Sequence, residues 1–278
     1  MSCPDCFSGS VHDGKPRGEV IKLHGLDTYA VGPAVGRTPK GIIVIIPDAF
    51  GWEFVNNRIL ADHYADRGDY KVYLPEFMLG KAAPEGMIDS MRSLINGSIV
   101  SKPFYLAKAM TGFVPFIMTN RIGKSYPRVK AFFEDLRKAE GADAKIAAAG
   151  FCWGGKHVLL MSHNVTVDID GKPAPLLNVG FTGHPSFMEV PGDVADTMTV
   201  PVSFAIGELD AGLPKDKVEQ IRTIVEAKPA PLTGEVVVYK DAGHGFCVRA
   251  DSTLNNVAKQ ALAAEEQCID WFNKHLKL

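Results

Sequence analysis

The sequence has no surplus of either charge: 30 lysines and arginines stand against 32 aspartates and glutamates, a formal net charge of -2. Its basic residues are scattered along the chain, so no positive field exists to hold nucleic acid or an anionic lipid surface. A small-molecule partner is what remains. Cysteine is scarce, with five residues at positions 3, 6, 152, 247 and 268. An odd and thinly spread set does not make a disulfide scaffold, and it suits a reducing compartment. Cys3 and Cys6 form a CxxC, yet no second ligand pair follows at zinc-site spacing. No metal is expected, and these two are read as idle thiols. Long apolar runs are missing too, and the opening "MSCPDCFSGSVHDGKPRGEV" has neither a basic nor an apolar signal region. The expectation is a cytoplasmic protein without membrane association, monomeric or homodimeric.

What the sequence does have is apolar content: 46% over 278 residues, enough to bury the core of one large domain. The run "KGIIVIIPD" (40–48) is β-branched and ended by proline, as in a strand covered on both faces of a parallel sheet. Apolar residues at helical spacing follow in 56–70, then a strand at 70–76. The alternation resumes with a helix over 125–141, a strand ending at Gly150 and a helix over 154–163. Strands at 176–183 and 200–210, a helix over 214–227, a strand at 235–243 and a closing helix over 256–276 complete it. Such alternation predicts an α/β architecture, a doubly wound, mostly parallel sheet with helices on both faces. An antiparallel hairpin from "GEVIKL" and "DTYAVG" should lie at one edge. Residues 1–278 read as a single domain, with 1–17 a flexible N-terminal segment. Residues 80–123, rich in aromatics and methionine, read as a helical cap or lid insertion, with a plain extra core helix as the alternative.

The stretch "AKIAAAGFCWGGKH" (144–157) carries the chemistry. An apolar strand ends in Gly150-Phe151-Cys152-Trp153-Gly154, a glycine-x-nucleophile-x-glycine pattern with cysteine in the nucleophile position. Glycines two residues either side let strand and helix approach without Cβ clashes, and a turn this sharp holds the thiol up at the sheet edge. The following N–H, of Trp153, then lies at a helix N-terminus, where it can donate to an oxyanion. The alternative is a tight turn with a buried thiol.

A nucleophile needs a base and the base an orienting acid. Asp210 ends the strand "VSFAIGELD", and His244 follows the strand "VVVYKDAG", both at the sheet edge of Cys152. The chain order nucleophile, acid, histidine is that of the α/β-hydrolase fold. His184 could line the same pocket, although a hydrogen-bonded loop histidine is its bland reading. His63, His157, His163 and His275 read as packing or surface residues.

The pieces "GFCWGG", "GELD" and "GHGF", with "IPDAFGW" and the stretch to "YLPE", resemble the dienelactone hydrolase family, in particular its fungal-type branch. The resemblance implies an α/β-hydrolase fold, a Cys152–His244–Asp210 triad, cleavage of a lactone or ester through a thioester acyl-enzyme, and no cofactor. It also implies a thiol-modulating carboxylate at Asp48, a second oxyanion donor at Ala49 N–H, and an arginine for a substrate carboxylate, for which Arg249 stands close to the family spacing and Arg92 and Arg121 are further candidates. Trp153 and residues 104–118, Phe113 among them, point to a bulkier and more apolar substrate than a small diacid lactone, and Phe246 is a further substrate-binding candidate. A lactonising acyl transferase and a non-catalytic binding protein on the same scaffold are the other readings.

Overall fold

The computed structural model describes residues 9–96, 98, 100–195, 197–250 and 255–276. Among the described residues ten strands appear: β1 (Glu19–Leu23), β2 (Leu26–Val31), β3 (Ile42–Ile46), β4 (Lys71–Pro75), β5 (Ile146–Phe151), β6 (Thr166–Ile169), β7 (Lys172–Pro175), β8 (Val179–Gly183), β9 (Val202–Gly207) and β10 (Glu235–Tyr239). Eight of them form one sheet in the order β1-β2-β4-β3-β5-β8-β9-β10, while β6 and β7 make a separate hairpin. The pairs from β4 to β10 are parallel, and β1 and β2 add antiparallel strands at one edge.

All five residues of β3 and all six of β5 are buried. That explains the unalternating apolar runs: a strand covered on both faces has no solvent side to reserve for polar residues. The two covers can be seen on β8. A Cβ at Gly180 would meet Val158, of α5 (Trp153–Met161), whereas one at Gly183 would meet the Cys247 thiol. Residues an odd number apart on a strand face opposite ways, so α5 lies on one side, and α7 (Phe246–Arg249) with α8 (Asn255–Leu276), which it packs against, on the other.

The segment 80–123 is helical, as α2 (Gly86–Asn96) and α3 (Lys102–Asn120), and runs on into α4 (Ile122–Glu140). The inner face of α3 is set by Ala109, Gly112, Phe116 and Asn120. Gly112 permits the contact, since a Cβ there would come within 2.6 Å of Pro84. Phe104, Leu106, Met110, Val114 and Met118 consequently face outward.

The N-terminal segment 1–17, expected to be flexible, divides in two. Residues 1–8, Cys3 and Cys6 among them, lie outside the described residues. Residues 9–17 run against α1 (Val55–Gly68): His12 N–H donates to Asn56 Oδ1 at 2.9 Å and Arg17 N–H to Asp62 Oδ2 at 2.9 Å. Backbone donors satisfied in this way hold the strip in place without any regular element.

Candidate active site

The turn from β5 into α5 is tight, Cys152 alone separating the end of the strand from the start of the helix. Cys152 sits at φ 51°, ψ -110°, outside the ordinary regions for a residue with a Cβ. Its neighbours are chosen by contact distance. A Cβ on Gly150 would lie 2.5 Å from the carbonyl oxygen of Gly154, and one on Gly154 only 1.9 Å from that of Ile46. Gly155 could not carry one either, at 2.4 Å from Thr182 Oγ1. Three glycines therefore let α5 start directly against β3 and β8. Cys152 N–H donates to Gly183 O at 3.1 Å, and its carbonyl accepts from Gly155 N–H and Ser186 N–H at 3.2 and 3.0 Å, which locks the strained residue from three sides.

His244 and Asp210 come from the loops after β10 and β9, adjacent parallel strands. His244 Nδ1 lies 2.7 Å from Asp210 Oδ2, with both side chains buried. A carboxylate can only accept, so Nδ1 carries the proton and Nε2 is left as an acceptor. Nε2 looks toward Ser186 Oγ at 3.4 Å, and the same hydroxyl is 3.3 Å from Cys152 Sγ. Ser186 had no signal in the sequence: it follows β8 in a loop whose shape depends on positive φ at His184 and Phe187, a tertiary matter.

Asp48 and Arg249 meet as a buried ion pair through Asp48 Oδ2, each with no exposed side-chain surface. Asp48 Oδ1 accepts from Phe50 N–H at 3.2 Å and Asn57 Nδ2 at 3.0 Å. Arg249 also stacks over the Phe50 ring at 5.1 Å. Both carboxylate oxygens of Asp48 are thus engaged, Oδ1 by Phe50 and Asn57 and Oδ2 by the guanidinium of Arg249. Ala49, between Asp48 and Phe50, is buried.

His184 is fully buried, edge-on to His244 with ring centroids 4.9 Å apart, and burial followed by the neighbouring His244 and Arg249 charges pushes it well below the ordinary histidine range. Phe246 packs on Tyr239 and His184. A cavity of about 560 Å³ at the start of α5 is instead lined by Phe113, Phe116, Ile117, Asn120, Arg121, Ile122, Trp153 and Phe187. Trp153 and Phe187 are the chain neighbours of Cys152 and Ser186, and Cys152, Ser186 and His244 themselves are not among the residues that line it. Of the residues read from sequence as substrate contacts, Phe113 reaches the cavity and His184, Phe246 and Arg249 are not among its lining residues. Arg121 does line it, while the side chain of Arg92 falls outside the described residues. Phe104 and Met110 point away from it because the glycine side of α3 faces inward.

The wall itself is braced. Trp153 Nε1 donates to Asn120 O at 2.7 Å. His157, one turn along α5, uses Nδ1 toward Trp153 O at 3.1 Å and Nε2 toward Ser125 Oγ at 2.9 Å. Since a carbonyl only accepts, Nδ1 holds the proton. Burial pushes His157 down to about 4. Among the described residues no cluster of histidine, cysteine and carboxylate side chains could hold a metal ion, and no helix is long and apolar enough to cross a membrane.

The chain matches the model of the dienelactone hydrolase family over residues 26–276. It is 28% identical to hydrolase pyvD of Aspergillus violaceofuscus, over 98% of this chain and 96% of that one. It is 24% identical to dienlactone hydrolase 1 of Gibberella moniliformis, over 89% of this chain and 84% of the relative. A crystal structure described as a putative dienelactone hydrolase from Klebsiella pneumoniae superposes with a TM-score of 0.63 at 20% identity, covering 92% of this chain and 97% of the other; that likeness carries the fold. An α/β-hydrolase sheet with a glycine-flanked turn after its central strand, matched along nearly its whole length by one family model, places this chain in the dienelactone hydrolase family.

Proposed function

We propose that this hydrolase cleaves a lactone or carboxylic ester by nucleophilic catalysis, with Cys152 as nucleophile, His244 as general base and then general acid, and Asp210 as the group that fixes the imidazole tautomer. The observation that carries the reading is the 2.7 Å His244–Asp210 contact, which leaves Nε2 accepting on the side of the elbow thiol. Attack of the sulfur on the carbonyl carbon gives a tetrahedral oxyanion, for which the backbone N–H groups of Trp153, at the start of α5, and Ala49 are the donors. Collapse expels the alkoxide, protonated by His244, and leaves a thioester; water activated by the same imidazole then releases the acid.

The apolar cavity between α3, α4 and the elbow is read as the substrate chamber, with α2 and α3 as its cap. Its aromatic lining favours a substrate with a large apolar or aromatic portion, and Arg121 on its wall is the partner for an acidic or carbonyl group there. The test is a panel of activated esters and lactones graded by size. Intact mass with peptide mapping should find an acyl group on Cys152, and no adduct in Cys152→Ala.

A further inference from the structure

The hydroxyl of Ser186 belongs to neither the nucleophile elbow nor the acid–base pair, yet it lies within 3.3 Å of Cys152 Sγ and 3.4 Å of His244 Nε2. The direction of these bonds is fixed from the far end. Asp210 accepts from His244 Nδ1–H, so Nε2 of the neutral ring is an acceptor, and the Ser186 O–H is a donor within its reach. A serine oxygen that donates its one hydrogen keeps its lone pairs, and those face the thiol.

We infer that Ser186 relays the proton that activates Cys152, in the order S–H to Oγ and O–H to Nε2. The S–H bond breaks as a new O–H bond forms on Ser186, while the original Ser186 O–H bond breaks and its proton goes to Nε2. The products are a thiolate, an unchanged serine and an imidazolium facing Asp210. No charge is left on the hydroxyl, and no co-reactant is needed.

The fold has arranged for the hydroxyl to be there. Ser186 N–H donates to the carbonyl of Cys152 itself at 3.0 Å, while His184 N–H donates to Ala205 O at 2.8 Å. The loop after β8 is thus pinned at one end to β9 and at the other to the nucleophile's own backbone. Neither bond uses the Ser186 side chain, so removing the hydroxyl leaves the loop tethered. Relay geometry also requires that the two partners not drift apart: both contacts end on one oxygen carried by a residue bonded to the elbow.

The inference rests on the cysteine-triad reading, and the experiment separates the two. The rate of iodoacetamide labelling at the Cys152 peptide is followed against pH by mass spectrometry in the parent and in Ser186→Ala, Ser186→Thr and His244→Ala, with kcat and its solvent isotope dependence measured on one activated ester. Loss of reactivity in His244→Ala tests the triad whatever Ser186 does. For the relay, Ser186→Ala should move the labelling midpoint upward toward an ordinary thiol, lower kcat by about tenfold to a hundredfold with KM little changed, and turn a curved proton inventory linear. Ser186→Thr, which keeps a hydroxyl, should restore the parent midpoint. A labelling profile in Ser186→Ala that overlies the parent's overturns the relay. So does a shift that threonine fails to reverse, since that would assign the effect to packing.

Discussion

Arg249 and Asp48, 201 positions apart in the chain, close on one another as an ion pair with neither side chain exposed. Removing one partner strands the other charge in a medium that cannot solvate it, at a cost of about 3–5 kcal/mol, although replacing both by apolar groups of similar volume can be nearly neutral. Arg249→Met and Asp48→Leu should therefore each lower the urea midpoint sharply, and the double variant should recover most of the loss. A selective drop in turnover of anionic esters by Arg249→Met, with unchanged unfolding, would instead make the arginine a substrate clamp.

The thiols should sort by environment. Burial, first of all, raises Cys247 and Cys268 well above the usual thiol range, so both should resist alkylation in the native protein while Cys152 labels. Peptide mapping after brief iodoacetamide treatment reads this directly; labelling of Cys247 or Cys268 ahead of Cys152 would contradict it.

Asp210→Asn and His244→Ala should each reduce kcat by orders of magnitude, and together by scarcely more than the worse of the two, because the acid acts only through the base. Multiplicative losses in single-turnover kinetics would mean that the two work separately.

Glycine has unequal importance at two positions. Gly154→Ala would drive a methyl to 1.9 Å from the Ile46 carbonyl and should abolish the soluble fold. Gly123, in α4, meets nothing within 4 Å, so Gly123→Ala should stabilise by about 0.5–1 kcal/mol through lower unfolded-state entropy. Thermal melts of the two variants give the comparison.

Acid sensitivity has a named source. His157 holds its proton less well folded, at about 4, than in an unfolded chain. The unfolded state therefore binds more protons between those values, and stability rises with pH across that window. The contribution is complete above roughly pH 6.5 and lost as pH falls toward 4. His157→Gln should flatten the curve of unfolding free energy there, as measured by urea titrations from pH 4 to 7.

Substrate size should matter more than charge. Each Å² of apolar substrate surface buried in the chamber contributes on the order of 25 cal/mol, so kcat/KM should climb with acyl or ring size until the space is full. Phe113→Ala should weaken the large substrates, whereas Phe104→Ser, on the outer side of α3, should leave the series unchanged. An equal effect of both would mean that the cavity is not where the substrate lies.

The sequence exposes what repeats locally. Buried strands such as β3 and β5 declare themselves by unbroken apolar runs, α1 by its spacing, and the elbow by glycines that no other residue could replace. The β6–β7 hairpin passed unread, although Asp170-Gly171, both at positive φ, is a strong hairpin turn; its strands are short and half exposed, so they lack the apolar weight of the others. Which side of α3 faces inward could not be read, because that helix is apolar nearly all round and only the contact of Gly112 with Pro84 decides it. Ser186 and the Asp48–Arg249 pair depend on approaches between distant segments, and no spacing rule encodes them.

The sheet order bears on the chain as it is made. Because β5 sits at the centre while β9 and β10 close the far edge, a chain leaving the ribosome presents the cysteine first, then the acid, and the histidine 34 residues after that acid. The elbow is complete once β3, β5 and β8 have paired, with no base beside it. Asp48 likewise waits for an arginine that arrives near the C-terminus. Until the segment after β10 emerges, the growing polypeptide carries the Cys152 thiol without the His244 imidazole, and by then every residue that lines the cavity has already been made.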